Sequence, residues 1–220
     1  MSKIESAPPR TRRPRSSLTV EGILDAAELV ASQGFTALTV RAVATELESS
    51  PMALYRYFTT KDELVDALLN RVLGRFVVLP ETGDWIADLR RFAVDHRRLL
   101  SEHPWAINAL TLNPNPGPNA LPIGEAALRI LRGAGISGDD AVATFSGIIA
   151  LNYGWSSFVA GKQLADDDSP MPVTTGPHTH PLTGDVAEAM SRYGSDDQYD
   201  TVLGQLLAGI AQRAGDPSPA

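Results

Sequence analysis

Between Leu38 and Asp62 the chain runs L-T-V-R-A-V-A-T-E-L-E-S-S-P-M-A-L-Y-R-Y-F-T-T-K-D, and the order of caps, apolar positions and breakers leaves few ways to fold it. Val40, Val43, Ala44 and Leu47 recur at helical spacing, so Thr39 to Leu47 reads as a short amphipathic helix seated on a core. Three polar residues follow as a turn. Ser50 suits a helix N-cap and Pro51 the first helical position, where a missing N–H loses nothing. Leu54 and Phe58 lie four apart and turn inward, which carries this second helix to Phe58. Thr60 and Glu63 then frame a capping box for a longer helix that begins at Lys61. This is helix-turn-helix spacing, in which the first helix carries the second against a partner.

The outer surface of the second helix is left to Met52, Ala53, Tyr55, Arg56 and Tyr57. Small domains rarely expose two tyrosines and a methionine without use. Tyrosine hydroxyls hydrogen-bond phosphate oxygens, and their rings contact sugars and thymine methyls. Lys61 stands at a helix N-terminus, where backbone donors and the dipole already favour a phosphate. The expected partner is double-stranded DNA, read in the major groove.

On these residues the segment from Leu18 to about Phe76 resembles the DNA-binding domain of the tetracycline-repressor (TetR) family of one-component regulators. The match is carried in order by L-T-V-E-G-I-L-D-A-A, G-F-T-A-L-T-V-R-A-V-A and L-Y-R-Y-F-T-T-K-D-E-L. The resemblance implies that Thr39, Arg41, Ser50, Met52, Ala53, Tyr55, Tyr57 and Lys61 fall where family members touch DNA. Glu48 departs from the pattern, since many members carry glycine in the turn.

A net charge of −7 on 220 residues looks wrong for such a partner until the chain is divided. Residues 1–78 carry ten Lys/Arg against nine Asp/Glu, whereas residues 79–220 carry nine against seventeen. The excess of acid therefore lies in the C-terminal part, which suits a DNA-facing head and a body that avoids DNA. The head is only weakly basic, so affinity has to come from placed contacts. Cysteine is absent, which excludes disulfides and thiolate metal sites. No apolar run approaches the length of a membrane span and no signal-peptide core is present, so a cytoplasmic protein is expected, without a membrane partner.

Taken in order, residues 1–17 are rich in Pro, Ser and Arg and are expected to be a disordered basic arm. Arg10, Arg12, Arg13 and Arg15 form either a solvated tail or an arm on phosphates or in the minor groove. Thr19 to Gln33 forms the first helix, with Ile23, Leu24, Ala27, Val30 and Ala31 as its apolar stripe. The helix from Lys61 carries Leu64, Val65, Leu68, Leu69, Val72 and Leu73 to about Phe76, and reaches from the head into the body. Pro80 to Gly83 breaks the pattern, so residues 18–78 are assigned to the head and 79–220 to the body. In the body the expected helices are Asp84 to Glu102, a short one from His103, Leu121 to Leu131, Ala141 to Ala160, and Asp197 to Arg213. Asn113 to Pro118 and Leu164 to Thr183 read as loops. With no strand pattern, the fold class is all-α: a three-helix helix-turn-helix domain followed by a helical ligand-binding and dimerisation domain.

D-W-I-A-D-L-R-R-F, H-P-W, L-R-G-A-G-I-S and G-W-S-S-F-V between Gly83 and Gly161 also resemble the C-terminal domain of one TetR subgroup. That resemblance implies a homodimer joined by a four-helix bundle, two helices from each chain. Ala141 to Ala160 and Asp197 to Arg213 suit the role, being apolar over more than one face.

Large aromatics and isolated polar groups recur in the body, and Trp85, Phe92, His96, Trp105, Asn108, Phe145, Asn152, Tyr153 and Trp155 are the candidates for an apolar ligand pocket with a few converging polar groups. Each has a bland alternative in core packing. Asn152 is the most telling, because it interrupts Ile148-Ile149-Ala150-Leu151 and a buried amide needs partners, whether ligand or neighbouring helix. His178-Thr179-His180 lacks a third ligand at defined spacing, so no metal and no cofactor is expected. By the resemblance, the histidine with which the tetracycline repressor holds drug-bound magnesium falls near Ala109, which leaves tetracycline unsupported. No nucleophile elbow, paired-carboxylate motif or H-E-x-x-H argues for an enzyme. The expectation is a dimeric regulator, most simply a repressor released from a palindromic operator by a small molecule; the alternative is a constitutive DNA binder with no effector.

Overall fold

Thr19 accepts a hydrogen bond from Gly22 N and so caps α1 (Val20–Ala31), the first element of a computed structural model that describes residues 18–113, 117–164 and 181–215. The Arg10 to Arg15 cluster and the His178-Thr179-His180 sequence lie outside the described residues. Ile23, Leu24, Ala27, Val30 and Ala31 are all buried, joined by Ala26. A 3₁₀ turn at Phe35–Ala37 brings the fully buried Leu38 under the head. Thr39 then caps α2 (Val40–Glu46) through a bond from Ala42 N.

The turn after α2 ends the helix in a Schellman motif: Ser49 N bonds Ala44 O at 2.8 Å and Glu48 N bonds Thr45 O at 3.0 Å. Such a motif needs a left-handed residue at its C′ position, and Glu48 takes it at φ 48°. The second helix, α3 (Pro51–Leu54), is shorter than the expected run to Phe58. Tyr55 to Tyr57 continue as turns, with Tyr57 N and Phe58 N both bonded to Leu54 O, because the chain must reverse into the cap of α4 (Lys61–Leu73) within three residues. Thr60 Oγ1 accepts from Glu63 N as expected, but the Glu63 carboxylate returns to Thr59 N instead of the cap's own amide.

In the body, Asp84 caps α5 (Trp85–Glu102), whose inner face buries Leu89, Phe92, His96, Leu99 and Leu100. The short α6 (Pro104–Leu112) and α7 (Ala120–Gly133) follow, and α8 (Gly138–Leu164) runs longer than the apolar pattern showed. Two short helices, α9 (Pro181–Asp185) and α10 (Ala187–Ser191), were not legible in the sequence. α11 (Asp196–Gly215) ends the described chain. Among the described residues there is no strand, and no helix is long and apolar enough to cross a membrane.

The head and body are joined by α4. Asn70 on α4 accepts from Asn119 N and its backbone oxygen from Asn119 Nδ2, while Asp66 accepts from Asn113. The fit is close: a Cβ on Gly117 would meet Asn70 Oδ1 at 2.6 Å, and one on Gly74 would meet Asn119 Nδ2 at 2.6 Å. From the other side, Arg71 pairs with Asp25 and Arg75 with Glu28, both on α1.

Candidate nucleic-acid interface and interior polar network

The outer surface of the head is built from three helix N-termini. At α2, Thr39 is exposed; its Oγ1 accepts from Ala42 N at 3.1 Å, which leaves its hydroxyl proton free to donate outward. Arg41 is exposed in the first turn. At α3, Ser50 has the extended backbone of an N-cap but its side chain makes no cap bond, so the hydroxyl is uncommitted. Leu54 and Phe58 anchor this short helix in the core and turn Met52, 73% exposed, and Tyr55, 43% exposed, outward. Ala53 is half-buried between them. At α4, Lys61 is the first helical residue, and its Nζ lies 5.1 Å from the Phe35 ring centroid, which fixes the ammonium beside the helix N-terminus.

Tyr57 differs from the others. Its ring is exposed, but its hydroxyl donates to Leu18 O, so the proton that would go to a phosphate is spent on the first described residue of the head. That use was invisible in the sequence, because the acceptor is a backbone atom 39 residues away.

Inside the body, Asn152 on α8 is fully buried and fully satisfied. Its Nδ2 donates to Ala93 O at 2.9 Å and lies 3.0 Å from His96 Nδ1, and its Oδ1 accepts from Tyr199 Oη at 2.7 Å. One amide therefore ties α5, α8 and α11 together. Since His96 Nδ1 accepts, the imidazole proton sits on Nε2, and burial pushes the His96 pKa down to about 4, so the ring is neutral near pH 7. Burial likewise pushes Tyr199 up to about 12, against the opposing pull of the Arg97 guanidinium over its ring at 4.1 Å.

Aromatic rings surround His96. Phe92 and Tyr153 lie near-parallel to it at 6.2 and 6.1 Å between centroids, and Phe76 stands edge-on to Phe92 at 5.5 Å and to His96 at 6.4 Å. Phe145 approaches Phe92 at 6.4 Å. Of the pocket residues expected from sequence, Phe92, His96, Phe145, Asn152 and Tyr153 thus come together. Trp155 sits one step away, against Tyr199 at 5.7 Å, with its indole N–H donating to Gly194 O. Trp85 is half-buried at the start of α5, Trp105 is buried in α6, and neither shares a ring contact with the cluster among the described residues. Asn108 on α6 is exposed, beside the buried Trp105, Ala109 and Leu110. Phe76, read from sequence only as the end of a helix, and Tyr199, read as part of an apolar stripe, are the cluster members that sequence reasoning did not place there. Two hollows flank this interior: a crevice of about 300 Å³ beside Phe76, Arg98 and Leu99, and an open groove of about 640 Å³ between α8 and α11. Ser156, one turn from Asn152 and buried, has no hydrogen-bond partner for its hydroxyl among the described residues.

Residues 23–68 match the family described as bacterial regulatory proteins, tetR family, and residues 79–214 match the tetracyclin repressor-like C-terminal domain. An HTH-type transcriptional regulator of Saccharopolyspora erythraea is 28% identical over 94% of this chain and 91% of its own. The HTH-type transcriptional repressor DrrR1 of Streptomyces coeruleorubidus is 29% identical over 95% and 84%. In fold, the chain is similar to the Streptomyces coelicolor TetR family protein ActR, solved in complex with actinorhodin, with a TM-score of 0.76 at 23% identity over 90% of this chain and 99% of that one.

Proposed function

The chain belongs to the TetR family of bacterial regulatory proteins, and from that premise we propose that it is a dimeric repressor whose grip on a palindromic operator is released by a small molecule. It is a DNA-binding transcriptional regulator and not an enzyme. The observation that carries the reading is the division of α3 and its following turn: Leu54 and Phe58 are buried while Met52 and Tyr55 stand exposed. Two such heads, related by a two-fold axis, would each enter one major groove of a pseudo-palindromic site.

Thr39, Arg41, Ser50 and Lys61 are then the phosphate-directed residues, and Met52, Ala53 and Tyr55 the base- and sugar-directed ones. Tyr57 contributes its ring and holds Leu18. The effector is an uncharged, largely aromatic molecule lodged near Phe92, His96, Phe145 and Asn152. A neutral His96 offers it a donor at Nε2, and the low polarity around the ring disfavours an ionised guest. The dimer is formed by α8 and α11, and the protein works in the cytoplasm, where its DNA lies. An effector that binds the DNA-incompetent arrangement better by about 1–3 kcal/mol lowers operator affinity about 5- to 150-fold.

Selection of bound duplexes from random DNA at fixed salt tests the reading, with a palindromic consensus as the expected outcome. On the selected duplex, Tyr55→Ala and Lys61→Ala should each weaken binding, and Lys61→Ala should also lower the slope of log affinity against log salt by about 1. Unchanged affinity in both variants would remove α3 and α4 from the interface.

A further inference from the structure

Between Gly74 and Asp84 the chain passes from head to body, and Phe76 is the one residue of that passage that is not exposed. Val77, the next residue, is 68% exposed. Its neighbour Arg75 points the other way. The guanidinium reaches α1, where Nη1 and Nη2 bond the two Glu28 carboxylate oxygens at 2.5 and 2.7 Å. Nη1 also lies 3.0 Å from His103 Nε2, at the corner between α5 and α6. Adjacent residues therefore place one side chain in the ring cluster around His96 and the other on the first helix of the head. Both are fastened to the last turn of α4, with Arg75 N on Val72 O and Phe76 N on Leu73 O.

We propose that Arg75 and Phe76 form the joint that sets the head's position on the body: Phe76 follows the packing of Phe92 and His96, and Arg75 passes any displacement to Glu28 on α1. The proposal rests on the reading of the chain as an effector-released DNA binder and gives that reading a named route. A crevice of about 300 Å³ opens beside Arg75 and Phe76, so the ring has space into which to move. A bidentate pair transmits direction as well as attraction, because a rotation of the arginine breaks at least one of its two bonds. Anything that shifts Phe92 or His96 tilts Phe76, and the same backbone carries Arg75 away from Glu28. By reciprocity, fixing the head on DNA must change the body at Phe92 and His96.

The experiment uses the full chain and a duplex that it enriches from random DNA, with hydrogen exchange of residues 89–100 and duplex affinity as readouts. In the wild type, adding duplex is expected to alter exchange in residues 89–100, far from any DNA contact. Phe76→Ala and Arg75→Met should each abolish that response and lower duplex affinity about 5- to 50-fold, while Arg75→Lys, which keeps one bond to Glu28, retains part of both. Because the two residues act in series, the double variant should lose no more than the worse single one. Val77→Ala, exposed in the same passage, should behave as wild type. Additive losses in the double variant, an intact response in either single variant, or the same loss in Val77→Ala would overturn the joint. A duplex that binds wild type without changing residues 89–100 overturns the joint alone; failure to enrich any duplex overturns the regulator reading and the joint with it.

Discussion

Glu48 holds a backbone conformation that L-residues avoid. At φ 48° its Cβ crowds the following carbonyl, and the cost for a residue other than glycine is about 1–2 kcal/mol. The conformation persists because the bonds from Glu48 N and Ser49 N close the end of α2, and because α3 has to leave at that angle to present Met52 and Tyr55. With glutamate at this left-handed position the turn still closes, and the departure appears as strain. Glu48→Gly is expected to relieve it, less the extra freedom that glycine gains when unfolded, for a net stabilisation of about 0.5–1 kcal/mol in urea unfolding. A lower midpoint in the variant would mean that the Glu48 side chain makes a stabilising contact large enough to outweigh the strain. At this scale the cap at Thr60 was legible from residue type and spacing, whereas the cap at Thr39, read as the first helical residue, the unused Ser50 hydroxyl and the Tyr57 bond to Leu18 were not.

Helices with sustained apolar periodicity were legible almost to their ends: α1, α4, α5, α8 and α11 begin and end within a few residues of their patterns. α3 came out shorter, and α9 and α10 were missed, because elements of four or five residues are set by tertiary contacts and not by propensity. Between elements, half of the polar network was readable. Asn152 announced itself as an amide in an apolar run, but Tyr199 keeps the apolar rhythm of α11, and only folding brings its hydroxyl to Asn152 Oδ1. The same network makes α5 sensitive to pH. The folded-state pKa of His96 is lowered from an ordinary 6.5 to about 4. Above about pH 6.5 the ring is neutral whether folded or unfolded; as pH falls toward 4 the unfolded chain takes a proton that the folded one refuses. Stability is thus complete above that window and is lost through it, by about 2 kcal/mol between pH 7.5 and 5. His103 is lowered in the same direction by burial, so the assignment is made with His96→Gln, which keeps an acceptor for Asn152 and removes the titration. Unfolding in urea at the two pH values should show that loss shrink by about 2 kcal/mol in the variant. An equal loss in both proteins would assign the pH dependence elsewhere. Glu28, held below the ordinary carboxyl range chiefly by its bonds to Arg75, adds its own loss only at more acid pH.

For the molecule as a whole, the division of charge and the outer faces of α8 and α11 point the same way. The head is close to neutral, the body carries the acidic excess, and DNA affinity has to be multiplied by presenting two heads at once. On α8 one run of outward residues is small: Ala143, Ser146 and Ala150 are exposed and Gly147 is half-exposed, while Val142 and Phe158 add apolar surface to the same helix. On α11 Ala208 and Gly209 are exposed beside them, lining or adjoining the open groove between the two helices. Small residues at a spacing of four let helix backbones approach closely, as a four-helix bundle from two chains requires. Ala150→Arg would put a long cation at the middle of that face. The variant is expected to sediment as a monomer and to keep its urea unfolding midpoint when the wild type is compared at a concentration below its own dimer dissociation. Its affinity for a selected palindromic duplex should fall by about 100-fold or more, while binding to a single half-site, weak in both proteins, should be unchanged. A variant that stayed dimeric and bound the palindrome normally would move the interface off α8, and the 640 Å³ groove between α8 and α11 would then remain open to solvent in the working protein.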